Sequence, residues 1–238
     1  MLTHGAKLPA TAHGQEPKPH GGSYGYLYLD IYPPTLQLAE RPHVPTTQLL
    51  RPGNFATAGD ERLPDWLSAP SSNPLVYVTL GTVFSNDAVL STIVQAIRML
   101  PVRVVVTVGP KGDPASLGPQ PENVHVSRYI PQDQILRRCA AVVSHAGSGT
   151  FLAALAAGLP QLCVPQAADQ FLNAAACTRS GTGLALQSGS VSIDEVRSDV
   201  ERLLSEATFR TAAEHVKCEI AAMPSPQDVA TGLHTEYR

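Results

Sequence analysis

No two of the four cysteines, Cys139, Cys163, Cys177 and Cys218, stand at CxxC or any other metal-ligand spacing. A zinc ribbon or dithiol redox centre is thereby excluded. Three of the four lie in apolar helix or strand contexts, so reduced buried thiols are expected rather than disulfides. The chain also lacks a Lys/Arg cluster, and its net charge is −3, which argues against nucleic acid or a membrane surface as partner. A long hydrophobic run is missing too. Residues 1–23 are polar and rich in His, Gly and Pro, so neither a signal peptide nor a transmembrane span is legible, and a soluble cytoplasmic protein is expected. His4, His13, His20 and His43 are scattered through the first 45 residues without the spacing of a helical metal site, so no metal is expected there.

What is present divides the 238 residues into three stretches. Residues 1–23 carry no hydrophobic periodicity and read as a mobile segment. Residues 24–74 open on the β-like Tyr24–Tyr32, after which Pro33-Pro34 begins a stretch punctuated by Pro, Gly, Asn and Asp. That composition suits an irregular linker on a surface, anchored by Trp66 and Leu67. It resembles the connection between two domains, one of which is mostly absent.

Residues 75–238 read as a Rossmann-like α/β domain built on a doubly wound parallel sheet. Strands are expected at 75–80, 103–108, 123–127, 140–143, 161–164 and 183–186. Helices are expected at 86–100, 132–138, 151–157 and 169–179, alternating with them. Ser192-Ile193-Asp194-Glu195 reads as a capping box opening a helix to about Ser205. Another helix runs from about Phe209 to Met223, with a final turn or two beyond Pro224 and Pro226. No G-x-G-x-x-G follows the first strand and no acid ends the second, which argues against a dinucleotide-dependent oxidoreductase.

Binding sites in such sheets lie at the carboxyl ends of the strands. The glycine-bearing turns singled out here all follow strands, so they should converge on one crevice. Ser144-His145-Ala146-Gly147-Ser148-Gly149-Thr150 joins a strand to the start of a helix, where free N–H groups and the helix dipole favour phosphate. A tight turn with a capping Ser or Thr is the plainer alternative. Gly81-Thr82 offers a second such turn. Tyr129, within Arg128-Tyr129-Ile130-Pro131-Gln132, can stack on a base or stand as a half-buried loop aromatic. Asp169-Gln170 can read several hydroxyls, unless Asp169 merely caps the helix that follows. Taken together, the set reads base stack, diphosphate turn and hydroxyl reader.

Those segments occur in the order and spacing of a known family. Val78-Thr79-Leu80-Gly81-Thr82, Arg128 to Gln132, His145 to Thr150, Ala157 to Gln161 and Pro165 to Asn173 strongly resemble the carboxyl-terminal, donor-binding half of GT-B-fold glycosyltransferases. The bacterial natural-product branch is the nearest. The resemblance covers residue 24 to the end and implies a nucleotide-sugar site. It assigns Thr82 to the diphosphate or sugar end, Tyr129 and the Ile130 backbone to the base, and His145 with the turn of Ser148, Gly149 and Thr150 to the diphosphate, with Gly81, Gln132 and Gly147 in the same nucleotide-sugar site. Asp169 and Gln170 match the pair that holds sugar hydroxyls. Many relatives carry Trp in place of Tyr129. Plant and animal relatives carry a ribose-binding Glu where Ala153 stands, and the loss of that clamp suits a dTDP-sugar better than a UDP-sugar.

The implied chemistry is inverting transfer of a sugar to a hydroxyl of a small natural-product acceptor, without a metal or a cofactor beyond the nucleotide-sugar co-substrate. The family's general base lies in its amino-terminal half, and no catalytic residue is assigned within this chain. A non-catalytic nucleotide-sugar-binding subunit, partnered with a separate amino-terminal domain in a split transferase, is the alternative.

Overall fold

The structure is a computed structural model that describes residues 24–38, 44–53, 64–68, 71–81, 87–187, 189 and 191–236. Thr82 and the four early histidines lie outside the described residues, as does the segment 1–23. The elements in chain order are β1 (Tyr28–Asp30), β2 (Thr47–Leu49), α1 (Asp65–Ser68), β3 (Leu75–Thr79), α2 (Asp87–Ile97), β4 (Arg103–Thr107), β5 (Val124–Ser127) and α3 (Gln132–Leu136). They continue with β6 (Ala141–Ser144), α4 (Ser148–Ala156), β7 (Gln161–Cys163), α5 (Gln170–Arg179), β8 (Gly183–Ala185), α6 (Ile193–Ser205), α7 (Ala207–Ala222) and α8 (Pro226–Glu236).

Six strands form one parallel sheet in the order β5-β4-β3-β6-β7-β8. The chain starts at the middle with β3, winds outward through β4 and β5, then returns to β6 on the other side of β3. In register, Val76 pairs with Val104 on one side and with Ala141 on the other. The reversal of direction between β3 and β6 is a topological switch point, where the connections leave on opposite faces and a crevice opens.

The β3 sequence, Leu-Val-Tyr-Val-Thr, is buried throughout, as a central strand covered on both faces must be. Its alternation sorts the core. Val76 and Val78 join Val104, Val106, Val143 and Leu162 under Leu90, Ile93, Val94 and Ile97 of α2 and Val196, Val200 and Leu203 of α6. Leu75 and Tyr77 face the other way, with Val105 and Val142, toward Ile135 and Leu136 of α3, Ala154 of α4 and Leu67. A third cluster joins Phe151, Leu152 and Leu155 of α4 to α5 and to Ala213, Val216 and Ile220 of α7. Each such aliphatic side chain contributes about 1.5–3 kcal/mol when fully buried, so α4 is held firmly on its inner face.

Helix ends follow local chemistry. Past α4, Gly158 takes φ +73°, and the N–H groups of Leu159 and Gly158 return to the carbonyls of Ala154 and Leu155, a Schellman stop. At the start of α6, Ser192 Oγ accepts from the Glu195 N–H at 3.2 Å. Glu195 answers by accepting the Ser192 hydroxyl at 2.7 Å rather than the Ser192 N–H, so only half of the expected capping box forms.

The expected final turn or two is instead the eleven-residue α8. Its start is fixed by Ser225, which accepts from the Asp228 N–H, while Asp228 accepts from both the N–H and the hydroxyl of Ser225. Cys139, Cys163 and Cys177 are buried free thiols and Cys218 is exposed. Burial pushes the Cys139 thiol up to about 12.

The stretch before the sheet holds more structure than its composition suggests. β1 and β2 pair in parallel through three residues each, with a 3-10 turn at Pro34–Leu36 between them. Thr47-Gln48-Leu49 is too short and too mixed to announce a strand, and it forms because β1 offers partners. The stretch is fastened to the helical layer. Leu36 is buried in the cluster around Phe151. Thr35 gives its N–H and hydroxyl to Glu219, and Arg179 donates to the Leu36 carbonyl at 2.8 Å. Arg51 donates twice to the Met223 carbonyl. Farther along, Leu67 is buried and Trp66 packs on the His125 ring, with centroids 4.4 Å apart.

Candidate functional site

At the switch point, two turns meet face to face. After β3, buried Leu80 leads into Gly81, whose φ of +80° a side chain would strain. After β6, the Ser144 hydroxyl oxygen accepts from the Ala146 N–H at 3.1 Å, closing a turn in which Ala146 itself takes φ +60°. This turn throws the His145 imidazole between Gly81 and Gly147. A methyl group at Gly81 would lie 2.7 Å from its Cε1 and Nε2, and one at Gly147 would lie 2.5 Å from Nε2. Both glycines thus make room for the close approach of one ring.

Gly147 then enters α4 with no side-chain cap, so the plainer reading of a Ser or Thr cap is set aside. The first N–H groups of a helix have no intrahelical partner, and here they belong to Ser148, Gly149 and Thr150, which line the crevice. The crevice encloses about 420 Å³. Its opposite wall comes from the ends of β3 and β4, with Tyr77, Thr79 and Thr107, and from Arg128, Tyr129, Ile130 and Gln132 after β5. Tyr129 is 47% exposed, whereas the Ile130 side chain is buried in the core, leaving its backbone to the crevice. Gln132 donates to Thr150 Oγ1 at 3.0 Å and ties the two walls together.

Arg128 is a charged residue on the crevice wall, beside neutral hydroxyls and backbone N–H groups. His145 is pushed below its ordinary 6.5 by burial, with nearby Asp169 pulling the other way. Its Nδ1 is buried without a hydrogen-bond partner among the described residues. A neutral imidazole beside the start of a helix offers one N–H and adds no charge to be neutralised. Burial also raises Tyr77, whose hydroxyl lies 2.8 Å from Thr107 Oγ1. Among the described residues, no group of three or more His, Cys, Asp or Glu is arranged to hold a metal ion.

Of the residues singled out in the sequence, Gly81, Tyr129, Ile130, Gln132, His145, Gly147, Ser148, Gly149 and Thr150 line this one crevice. Asp169 borders it. Its carboxylate makes no cap to α5 and instead accepts the Ser148 hydroxyl at 2.5 Å. Gln170 is turned inward and buried, its carbonyl taken by the N–H groups of Gln166 and Ala167. Tyr77, Thr79 and Thr107 line the crevice as well, and they stand toward the ends of parallel strands, where such sites form. Tyr32 also reaches the site, by a hydroxyl 2.7 Å from Ser148 Oγ.

A second hollow of about 520 Å³ lies between Thr35, Ser180 and the Ala207–Val216 face of α7. Ser180 precedes β8, so this hollow sits toward the amino edge of the sheet, away from the converging turns.

Known proteins share this sequence and fold. The chain is 34% identical over 214 residues to the aclacinomycin-T 2-deoxy-L-fucose transferase of Streptomyces galilaeus, covering 86% of this chain and 47% of that protein. It is 34% identical over 180 residues to the aklavinone 7-beta-L-rhodosaminyltransferase of the same organism, covering 74% and 40%. It therefore spans about half the length of the curated relatives it matches. Among solved structures, the glycosyltransferase SnogD from Streptomyces nogalater superposes with a TM-score of 0.75 at 32% identity, over 88% of this chain and 56% of that one. The glycosyltransferase VinC, solved in complex with dTDP, gives 0.73 at 30% identity, over 88% and 51%.

The resemblance to the carboxyl-terminal half of GT-B glycosyltransferases is borne out, as is the parallel α/β fold. No helix among the described residues is long and apolar enough to cross a membrane. Residues 91–235 match the family described as erythromycin biosynthesis protein CIII-like, C-terminal domain, and the chain belongs to that family.

Proposed function

We propose that the crevice between β3 and β6 binds the nucleoside diphosphate of a nucleotide sugar, and that the chain is the donor-binding part of an inverting glycosyltransferase. The observation that carries this reading is the pairing of an uncapped α4 N-terminus with the His145 imidazole, seated between Gly81 and Gly147. Three unpartnered N–H groups and one imidazole N–H then face a single anion. Tyr129 offers a ring to the base and Asp169 a carboxylate to sugar hydroxyls, at opposite ends of the crevice.

In direct displacement at the anomeric carbon, the leaving diphosphate gains negative charge as the glycosidic bond breaks. Donors already aimed at that charge stabilise the transition state more than the bound donor, without reorganising. The acceptor is read as a hydroxyl of a small natural product, and the base that takes its proton as a residue of the family's other half. Ala153, one turn into α4, presents a methyl where a carboxylate would clasp ribose, which favours a dTDP-sugar over a UDP-sugar.

The test is calorimetric titration of the chain with dTDP and with UDP, without metal, repeated on His145→Ala. Binding that favours dTDP is expected, with the substitution weakening it by about 1–3 kcal/mol, the scale of a hydrogen bond to a charged group. Absence of binding by the folded wild-type chain overturns the reading.

A further inference from the structure

The stretch before the sheet reaches the crevice through Tyr32. Its hydroxyl lies 2.7 Å from Ser148 Oγ and donates to Asn173 Oδ1 at 2.8 Å. Asn173 is buried, and its Nδ2 donates to the Ala146 carbonyl at 2.8 Å and to Ser148 Oγ at 3.2 Å. The bond to Ala146 fixes which end of the amide is which, so Oδ1 must face Tyr32. Burial raises the Tyr32 phenol above its ordinary value, and the hydroxyl keeps its proton.

Two hydroxyl protons, those of Tyr32 and Ser148, serve three short contacts, so one of them is shared. Ser148 Oγ meets a carboxylate oxygen of Asp169 at 2.5 Å, a contact to which an ionised Asp169 can bring no proton. Ser148 therefore gives its own proton away, toward the crevice. The Tyr32 proton is shared between Asn173 Oδ1 and Ser148 Oγ, and Asn173 adds a second donor from the same side. With its lone pairs taken from behind, the Ser148 hydroxyl can act toward the crevice only as a donor. The Asp169 carboxylate thus holds the Ser148 proton at the start of α4.

Resting on the reading of the crevice as a diphosphate site, we propose that Tyr32 is a positioning residue. Together with Asn173 it holds the Ser148 hydroxyl as an obligate donor, and a diphosphate oxygen takes over the proton now given to Asp169. Released from Ser148, the Asp169 carboxylate keeps only the longer contact from Asn173 Nδ2 at 3.4 Å and can turn to the sugar hydroxyls. The stretch around Tyr32 is stiff enough for this because Thr35 is bound to Glu219 and Leu36 to Arg179. A contact spanning 116 residues thus couples the segment ahead of the sheet to occupancy of the site.

The test compares the wild-type chain with Tyr32→Phe, which keeps the ring and removes only the hydroxyl. Affinity for dTDP is measured by calorimetry, affinity for thymidine by ligand-observed NMR, and the fold by circular dichroism. Tyr32→Phe should weaken dTDP by about 3- to 10-fold, the scale of one misdirected hydrogen bond, and leave thymidine unchanged. An equal loss for both ligands would show that the whole crevice had loosened, and unchanged dTDP binding would show that the hydroxyl directs nothing. Either overturns the inference while leaving the diphosphate reading intact. Failure of the wild-type chain to bind dTDP removes both.

Discussion

The imidazole of His145 stands where a side chain on Gly81 would have to be, since a methyl group there would lie 2.7 Å from both Cε1 and Nε2. The two residues come from turns 64 positions apart in the chain, brought together because β3 and β6 are neighbours. Gly81→Ala therefore faces two penalties, a φ of +80° and a ring in the way. A loss of about 1–3 kcal/mol in urea unfolding is expected, together with weaker dTDP binding as the ring is pushed aside. Wild-type affinity in the alanine variant would show that His145 need not stay where it is.

Two part-buried histidines make stability depend on pH in a definite direction. His145 and His125 are both pushed below their ordinary 6.5 by burial, so the folded chain holds them neutral where the unfolded chain takes up protons. Where the unfolded state binds more protons, stability rises with pH. Their contribution is complete above 6.5 and is lost progressively as pH falls from there toward their folded values. Asp169 opposes the shift at His145, and no charged group is a cause of the shift at His125. Unfolding free energies measured from pH 7.5 to 5.5 should fall, and His145→Gln should flatten that slope. A slope identical in the variant would mean that His145 does not contribute to it.

Glu219 holds the stretch ahead of the sheet by accepting the Thr35 N–H at 3.1 Å and its hydroxyl at 2.5 Å. Glu219→Ala removes both acceptors and leaves a part-buried N–H unpaired. The expected cost is about 1–3 kcal/mol, with faster hydrogen exchange of the Thr35 amide and little change in the strands of the main sheet. Exchange as slow as in wild type would show that Leu36 alone seats this segment.

The strands of the main sheet were legible because β-branched runs such as Arg-Val-Val-Val-Thr, set between helices at regular spacing, have few other uses. The crevice was legible for the same reason, because a parallel sheet puts the turns after its strands along one edge. What the sequence concealed depends on distant partners. β2 is a three-residue strand that needs β1 beside it, and α8 begins on a proline and is fixed by the Ser225–Asp228 cap. The hydroxyl-reading role suggested by Asp169-Gln170 did not reveal that Gln170 closes its own loop while Asp169 crosses to Ser148. Tyr32 gave no local sign of its reach, since neither periodicity nor spacing encodes a contact between segments so far apart.

Ala153 allows the nucleotide preference itself to be tested. Side chains on a helix lean toward its amino terminus, so a residue at 153 covers the turn around Gly149 and Thr150, where α4 borders the crevice. Ala153 is only partly buried, packed on the cluster that includes Ile130 and Leu159, so a longer side chain has an outward path. A carboxylate there can accept from both hydroxyls of a ribose but from only one of a deoxyribose. Ala153→Glu should therefore shift the ratio of UDP to dTDP affinity by about 10- to 100-fold toward UDP, one added charged hydrogen bond. Competition titration of the two nucleotides on the same variant reads the ratio directly, which cancels any general loosening of the site. Equal losses for both would mean that the new carboxylate meets the sugar ring of neither, and the choice between ribose and deoxyribose would then have to be sought on the Tyr129 side of the crevice.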